Sequence, residues 1–162
     1  MKRITLNLAQ MVACLAVMIT TTSVASGDVP QPLKKSEDLK WGPAPAVLPQ
    51  GAKIAVLAGN PAEAGLLSIR LMLPEGYKIP AHWHPMEEQV TVLSGTINLG
   101  MGDKLDESKS QEFSTGGFYG LPAQKSHFAW TKTGATIQLS LIGPFAITYV
   151  NPADDPRQAG AK

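Results

Sequence analysis

Gly76-Tyr77-Lys78-Ile79-Pro80-Ala81-His82-Trp83-His84-Pro85-Met86-Glu87-Glu88-Gln89-Val90-Thr91-Val92-Leu93-Ser94-Gly95 is the stretch on which the fold turns. Residues two apart in a strand share a face, so His82 and His84 project together. Pro85 and Met86 allow a bend, after which Glu88, Val90 and Val92 continue along one face. Glycines stand at both ends, where strands stop and positive φ is needed. Taken alone, His-x-His is most simply a strand with two surface or half-buried imidazoles. The rest of the chain argues otherwise, because it contains only three histidines. The third, His127, opens another predicted strand, with Ala129 and Thr131 on its own face and Phe128 and Trp130 on the other.

Outward from this stretch the pattern repeats. Short apolar segments run over Lys53–Leu57, Leu66–Leu73, Tyr77–His82, Glu88–Leu93, Thr96–Leu99, Phe118–Leu121, His127–Thr131, Thr136–Ile142 and Phe145–Val150. Each has the length of a strand, and most are bounded by Gly, Pro, Asn or Ser. Helical periodicity is limited to a turn or two around Pro61–Ala64. The charged stretch Met101–Gly116 reads as a loop between two hairpins. Many short strands with Gly- and Pro-rich turns predict an all-β sandwich or barrel. With 162 residues, the chain suits one ordinary domain. A formal charge of +1 and the absence of like-charge blocks give no footprint for nucleic acid.

The N-terminus has the pattern of a secretory signal peptide: Lys2-Arg3, an apolar stretch from Ile4 to Ile19, then small residues ending at Ala25. Asn7 and Gln10 interrupt the apolar run, which falls short of the roughly 20 residues that a spanning helix needs. The only cysteine, Cys14, lies inside this segment, preceded by too short and polar a stretch for a lipoprotein leader. Cleavage after Ala25 leaves a mature chain of charge −1 without a thiol, so disulfides, thiolate metal sites and a Cys nucleophile are excluded. The expected organisation is a signal peptide over 1–25, a proline-punctuated arm over 26–45, a barrel domain over 46–151 and a polar tail over 152–162. The mature protein is expected in the periplasm or outside the cell, and not in a membrane.

If the strands carrying His82, His84, Glu88 and His127 are neighbours, three neutral imidazoles and a carboxylate converge. That donor set suits one divalent transition metal such as Fe, Mn, Ni, Zn or Cu. The spacing Gly76-x5-His82-x-His84-x3-Glu88-x6-Gly95 resembles, residue for residue, the first motif of the cupin superfamily. Its second motif resembles Gly116-x5-Pro122-Ala123-Gln124-x2-His127-x3-Thr131, with Gln124 in place of the usual Gly and Thr131 in place of the usual Asn. The resemblance runs from about Leu48 to Val150. It implies a single jelly-roll β-barrel with a metal held by His82, His84, Glu88 and His127. It also implies a small-molecule ligand or substrate, and often a homodimer joined through sheet edges. Cupins host dioxygenase, isomerase and lyase reactions as well as non-catalytic ligand binding or sensing, so the resemblance leaves the reaction open.

No catalytic residue is assigned from the sequence. Glu87 is expected to face away from the metal, although a bulge at Pro85-Met86 would exchange it with Glu88. Tyr119 can reach into the barrel or serve as a core tyrosine, and Lys125 reads as a solvated turn residue. Gln138 and Ser140 alternate with Ile137, Leu139 and Leu141, and one of those two faces must look inward. Trp83, Phe128 and Trp130 have the parity of packing residues, and Met72 and Met86 of gap-fillers.

Overall fold

The computed structural model describes residues 34–158. The expected signal peptide over 1–25, the expected arm as far as residue 33 and the last four residues of the expected tail lie outside the described residues. Ten strands form an antiparallel two-sheet jelly roll: β1 (Gly42–Pro43), β2 (Lys53–Ala58), β3 (Gly65–Leu73), β4 (Lys78–Trp83), β5 (Glu88–Met101), β6 (Ser110–Ser114), β7 (Phe118–Leu121), β8 (His127–Trp130), β9 (Ala135–Gly143) and β10 (Thr148–Tyr149). One sheet runs β1-β2-β3-β9-β5-β7 and the other β6-β5-β8-β4-β10. Among the described residues, no helix is long and apolar enough to cross a membrane. The described part of the tail closes in two short 3-10 turns, Pro152–Asp154 and Pro156–Gln158.

Strand β5 belongs to both sheets. Its first half, Glu88–Gly95, pairs with β9, and its second half, from Thr96, pairs with β6 and β8. The sequence pattern predicts two strands here, broken at Ser94-Gly95. The chain instead bends without breaking, through a register shift between Val92 and Ser94 and a φ of +73° at Gly95. A Cβ at Gly95 would also stand 2.2 Å from the Gly134 carbonyl oxygen. Only glycine satisfies both demands at this corner.

Period-two alternation fills the space between the sheets. Leu67, Ile69 and Leu71 of β3, Val90 and Val92 of β5, and Ile137 and Leu139 of β9 are buried in one continuous core. Their outward neighbours Arg70 and Gln138 bond to each other across β3 and β9, Nε donating to Oε1 at 3.1 Å. At the N-terminal side, Gly42–Pro43 pairs with β2, and the segment after it is tied down by two buried tyrosines. Tyr77 donates to the Pro49 carbonyl, and Tyr149 donates to that of Val47 at 2.8 Å.

Two segments depart from the sequence reading. Within the stretch expected to be a loop, Ser110–Ser114 forms β6, paired with β5 from Thr96 to Gly100. Its polar side chains fit because β6 is an edge strand with exposed faces, and only Phe113 turns inward, stacking on Tyr119 at 4.8 Å. Conversely, the expected strand Phe145–Val150 shrinks to Thr148–Tyr149. Its first part gives its backbone to other partners: the Phe145 amide donates to Pro61 and the Ala146 carbonyl accepts from His84.

Phe128, fully buried, lies across Gly100 of the paired strand, where a Cβ would meet its ring carbons at 2.0–2.7 Å. Gly100→Ala should therefore lower stability by about 1–3 kcal/mol through overpacking. Chemical denaturation measures this, and an unchanged midpoint would show that the Phe128 ring is free to swing aside.

Candidate metal centre

Strands β4 and β8 are hydrogen-bonded neighbours, and His82 stands directly opposite His127 in their register. A shift between Ile79 and His82 turns both inward. His84 follows β4 after one more residue, on the same side, as the spacing of two requires. The three rings sit with centroids 4.3 Å (His82–His127), 5.0 Å (His82–His84) and 5.2 Å (His84–His127) apart. Each offers one nitrogen, and these atoms all lie within 4.8 Å of one another. Metal–imidazole bonds of about 2.0–2.1 Å place two ligand nitrogens at most about 4.2 Å apart, so small ring movements suffice to share one ion.

Backbone carbonyls orient all three rings. The Nδ1 atom of His82 bonds the Pro80 oxygen at 2.7 Å, that of His127 the Lys125 oxygen at 2.9 Å, and that of His84 the Ala146 oxygen at 2.8 Å. A carbonyl only accepts, so Nδ1 carries the proton and, in the neutral ring, Nε2 holds a lone pair. Burial pushes all three imidazoles below their ordinary pKa, and for His82 its two neighbouring histidines push further. The rings are thus neutral, with their free nitrogens turned to one place.

Glu88 is 5% exposed, and its Oε2 lies 3.4 Å from Nε2 of His84. Two atoms bearing lone pairs at that distance repel unless something positive lies between them. Loss of solvation drives the Glu88 carboxyl up to about 7, with His127 opposing the rise. A proton would fill that role in acid, and a metal ion would fill it where the carboxylate is ionised. Among the described residues the close cluster of ligand atoms comprises the three histidines, with Glu88 beside His84, and three neutral imidazoles fit a borderline divalent transition metal. Glu87 points outward and accepts from Gln89 at 3.3 Å, so β5 presents Glu88 rather than Glu87 to the cavity.

The same cavity is lined by Leu48, Leu71, Val90, Tyr119, Leu139 and Phe145, among others. Its free volume is about 30 Å³, room for an ion with a water or two. Gln138 and Ser140 lie on the outward face of β9, while Ile137 and Leu139 face the cavity. Lys125 is exposed in the turn before β8. In that turn Gln124 takes φ +60°, the left-handed conformation that glycine favours, and its amide donates to the His84 carbonyl at 2.8 Å. Thr131 is buried, with Oγ1 donating to the Thr96 carbonyl at 2.7 Å. Phe145, half-buried and 6.1 Å from the His84 ring, was not singled out by the sequence, because nothing local marks it as a cavity residue.

The family model described as Domain of unknown function (DUF4437) matches residues 24–148, most of the chain. The chain belongs to the DUF4437 family. No curated protein sequence matches this DUF4437 chain. Among solved structures, it is similar to a candidate acetylacetone dioxygenase from Methylibium petroleiphilum, with TM-score 0.61 and 18% identity over 80% of this chain and 88% of that one. The polyketide cyclase RemF from Streptomyces resistomycificus matches with TM-score 0.57 and 18% identity over 80% and 92% of the two chains. An RmlC-like cupin from Shewanella frigidimarina matches with TM-score 0.53 and 15% identity over 68% and 88%. Identities this low show the fold, and that fold is the cupin jelly roll.

Any cation held by the three imidazoles must displace the Glu88 proton where that proton is present. Affinity for a divalent metal should therefore climb as pH rises toward 7 and flatten above it. Calorimetry in two buffers of different ionisation enthalpy should show about one proton released per ion at pH 6 and close to none at pH 8. Equal release at both pH values would remove Glu88 from the centre.

Proposed function

We propose that this protein is a metal-dependent cupin that binds one divalent transition metal through His82, His84, Glu88 and His127. In this reading it acts on a small organic molecule at that centre. The observation that carries the proposal is that the three histidines each bring one ring nitrogen within 4.8 Å of the others while a backbone carbonyl holds each Nδ1. A structural cluster of buried histidines has no need to turn every free nitrogen toward one point. When bound, the ion supplies Lewis acidity, or redox capacity if it is iron, copper or nickel. Two structures of the same fold carry the names of a candidate dioxygenase and a cyclase, which supports dioxygenase-like chemistry, isomerisation or elimination on a small compound.

A second reading is favoured by the narrowness of the cavity. With about 30 Å³ free, the site suits holding one small ligand or ligand atom without turning it over, as a binding or sensing module does. Oxygen uptake and product mass spectrometry with small enolic and phenolic compounds separate the two readings. The location in the periplasm rests on the first 25 residues. A homodimer is supported by apolar side chains left outside the core, Leu66 (70% exposed), Phe118 and Ile142.

Element analysis of protein purified without chelators should return close to one transition-metal ion per chain. His82→Ala and Glu88→Ala should each strip most of that metal and weaken its rebinding by more than about a hundredfold, given the 10–100-fold typical of residues that only support a ligand. Full occupancy in either variant would overturn the ligand assignment.

A further inference from the structure

Three tyrosines are buried in the barrel, and two have clear structural work: the hydroxyls of Tyr77 and Tyr149 donate to the carbonyls of Pro49 and Val47. The third, Tyr119, has no side-chain hydrogen bond to any described residue, although it is only 9% exposed. It comes from β7, where it pairs with Val90 of β5, while Leu121 pairs with Glu88. Tyr119, Leu121, Val90 and Glu88 all line the metal cavity. The ring is held from behind by Phe113 at 4.8 Å. Apart from the three histidines and Glu88, Tyr119 brings the only polar side-chain atom to that lining. Among the described residues no fully buried side-chain polar atom lacks a partner, so a phenol oxygen without a hydrogen bond is one that still reaches free space, and the cavity that Tyr119 lines is that space.

We propose that the Tyr119 hydroxyl is the hydrogen-bond donor for the ligand of the centre. The ligand is a largely apolar molecule that presents one oxygen function, neutral or singly anionic, to the metal and the phenol together. This inference rests on the metal-centre reading above and adds the class of ligand to it. A phenol, with an ordinary pKa of about 10, carries its proton at neutral pH and so donates. The remaining lining is hydrocarbon, with no lysine or arginine. A multiply charged phosphate or dicarboxylate would find no counter-charge there beyond the ion itself. Most of the lining residues are buried, whereas Phe145 and Leu99 are half-buried and mark the side toward which the rest of a ligand would extend.

The test uses the full mature chain, stripped by chelator and reloaded with cobalt(II), with azide as the singly charged probe read by visible absorption. Tyr119→Phe removes one oxygen atom and should keep the cobalt content and melting temperature while weakening azide binding about tenfold or more, the loss of a hydrogen bond to a charged group. Tyr77→Phe, which frees the Pro49 carbonyl outside the cavity, should lower the melting temperature and leave azide affinity unchanged. Inorganic phosphate should not compete with azide. Unchanged azide affinity in cobalt-loaded Tyr119→Phe overturns the role of Tyr119 and leaves the metal centre standing. Equal weakening in Tyr77→Phe overturns it as well, because the effect is then structural. Competition by phosphate overturns the ligand class. If the unmodified protein takes up no cobalt, the metal reading fails and this inference fails with it.

Discussion

Three backbone carbonyls, those of Pro80, Lys125 and Ala146, decide what the interior of this barrel can do. Each accepts from the Nδ1 atom of one histidine and so fixes both the tautomer and the tilt of the ring. Without them a buried neutral imidazole has two interchangeable nitrogens, and the three rings would not share a direction. Two of the contacts are local, reaching back two residues along the chain from His82 and His127. The third spans 62 residues, from His84 to Ala146, and it explains the shape of the last strand. The backbone of Phe145 and Ala146 serves Pro61 and His84, so ladder pairing resumes only at Thr148.

The placement of Glu88 depends on the other structural constraint, the continuity of β5. Its first half lies in the sheet of β9, whereas the histidines belong to β4 and β8 in the facing sheet. One carboxylate therefore approaches the three imidazoles from the opposite wall. The bend at Gly95 carries the same strand across to pair with β8, which locks the separation of the two walls. A rigid sandwich of this kind holds an ion site from two sides without help from loops.

Much of this was legible in the sequence because strand parity is strict. His82 and His84 share a face by spacing alone, and Glu88, Val90 and Val92 follow from the same period, with Glu87 left outside. Gly95 announced a break, but whether the chain stops or bends there depends on Gly134 across the sheet, which no local pattern reveals. Strand β6 was hidden for a related reason. An edge strand buries no side chain fully and only half-buries Ser110 and Phe113, so its sequence is as polar as a loop, and its existence depends on the open hydrogen bonds of β5. The inward face of β9 could not be chosen from its own alternation, since Gln138 and Ser140 have the same period as Ile137 and Leu139. Burial of Ile137, Leu139 and Leu141 against the facing sheet makes the choice, and Arg70 on β3 gives Gln138 a partner outside. Tyr119 stood open between core and cavity because parity places a ring but says nothing of whether its hydroxyl is already taken.

The two departures from the usual second motif show what such a motif conserves physically. Gln124 replaces a glycine yet adopts φ +60°, so the turn keeps its left-handed geometry, at a cost of roughly 1–2 kcal/mol for a residue with a Cβ. Its side chain is exposed, so nothing about the glutamine itself recovers that cost. What offsets it is the backbone: the Gln124 amide donates to the carbonyl of His84 and joins the turn before His127 to the other histidine segment. Thr131, standing for an asparagine, makes a single buried bond to Thr96, just past the Gly95 corner, while its amide donates to the Tyr77 carbonyl. At both positions a main-chain amide joins two segments, Gln124 to His84 and Thr131 to Tyr77. The geometry of the centre therefore tolerates these substitutions, because the bonds that hold His84 and His127 in place are made by main-chain atoms.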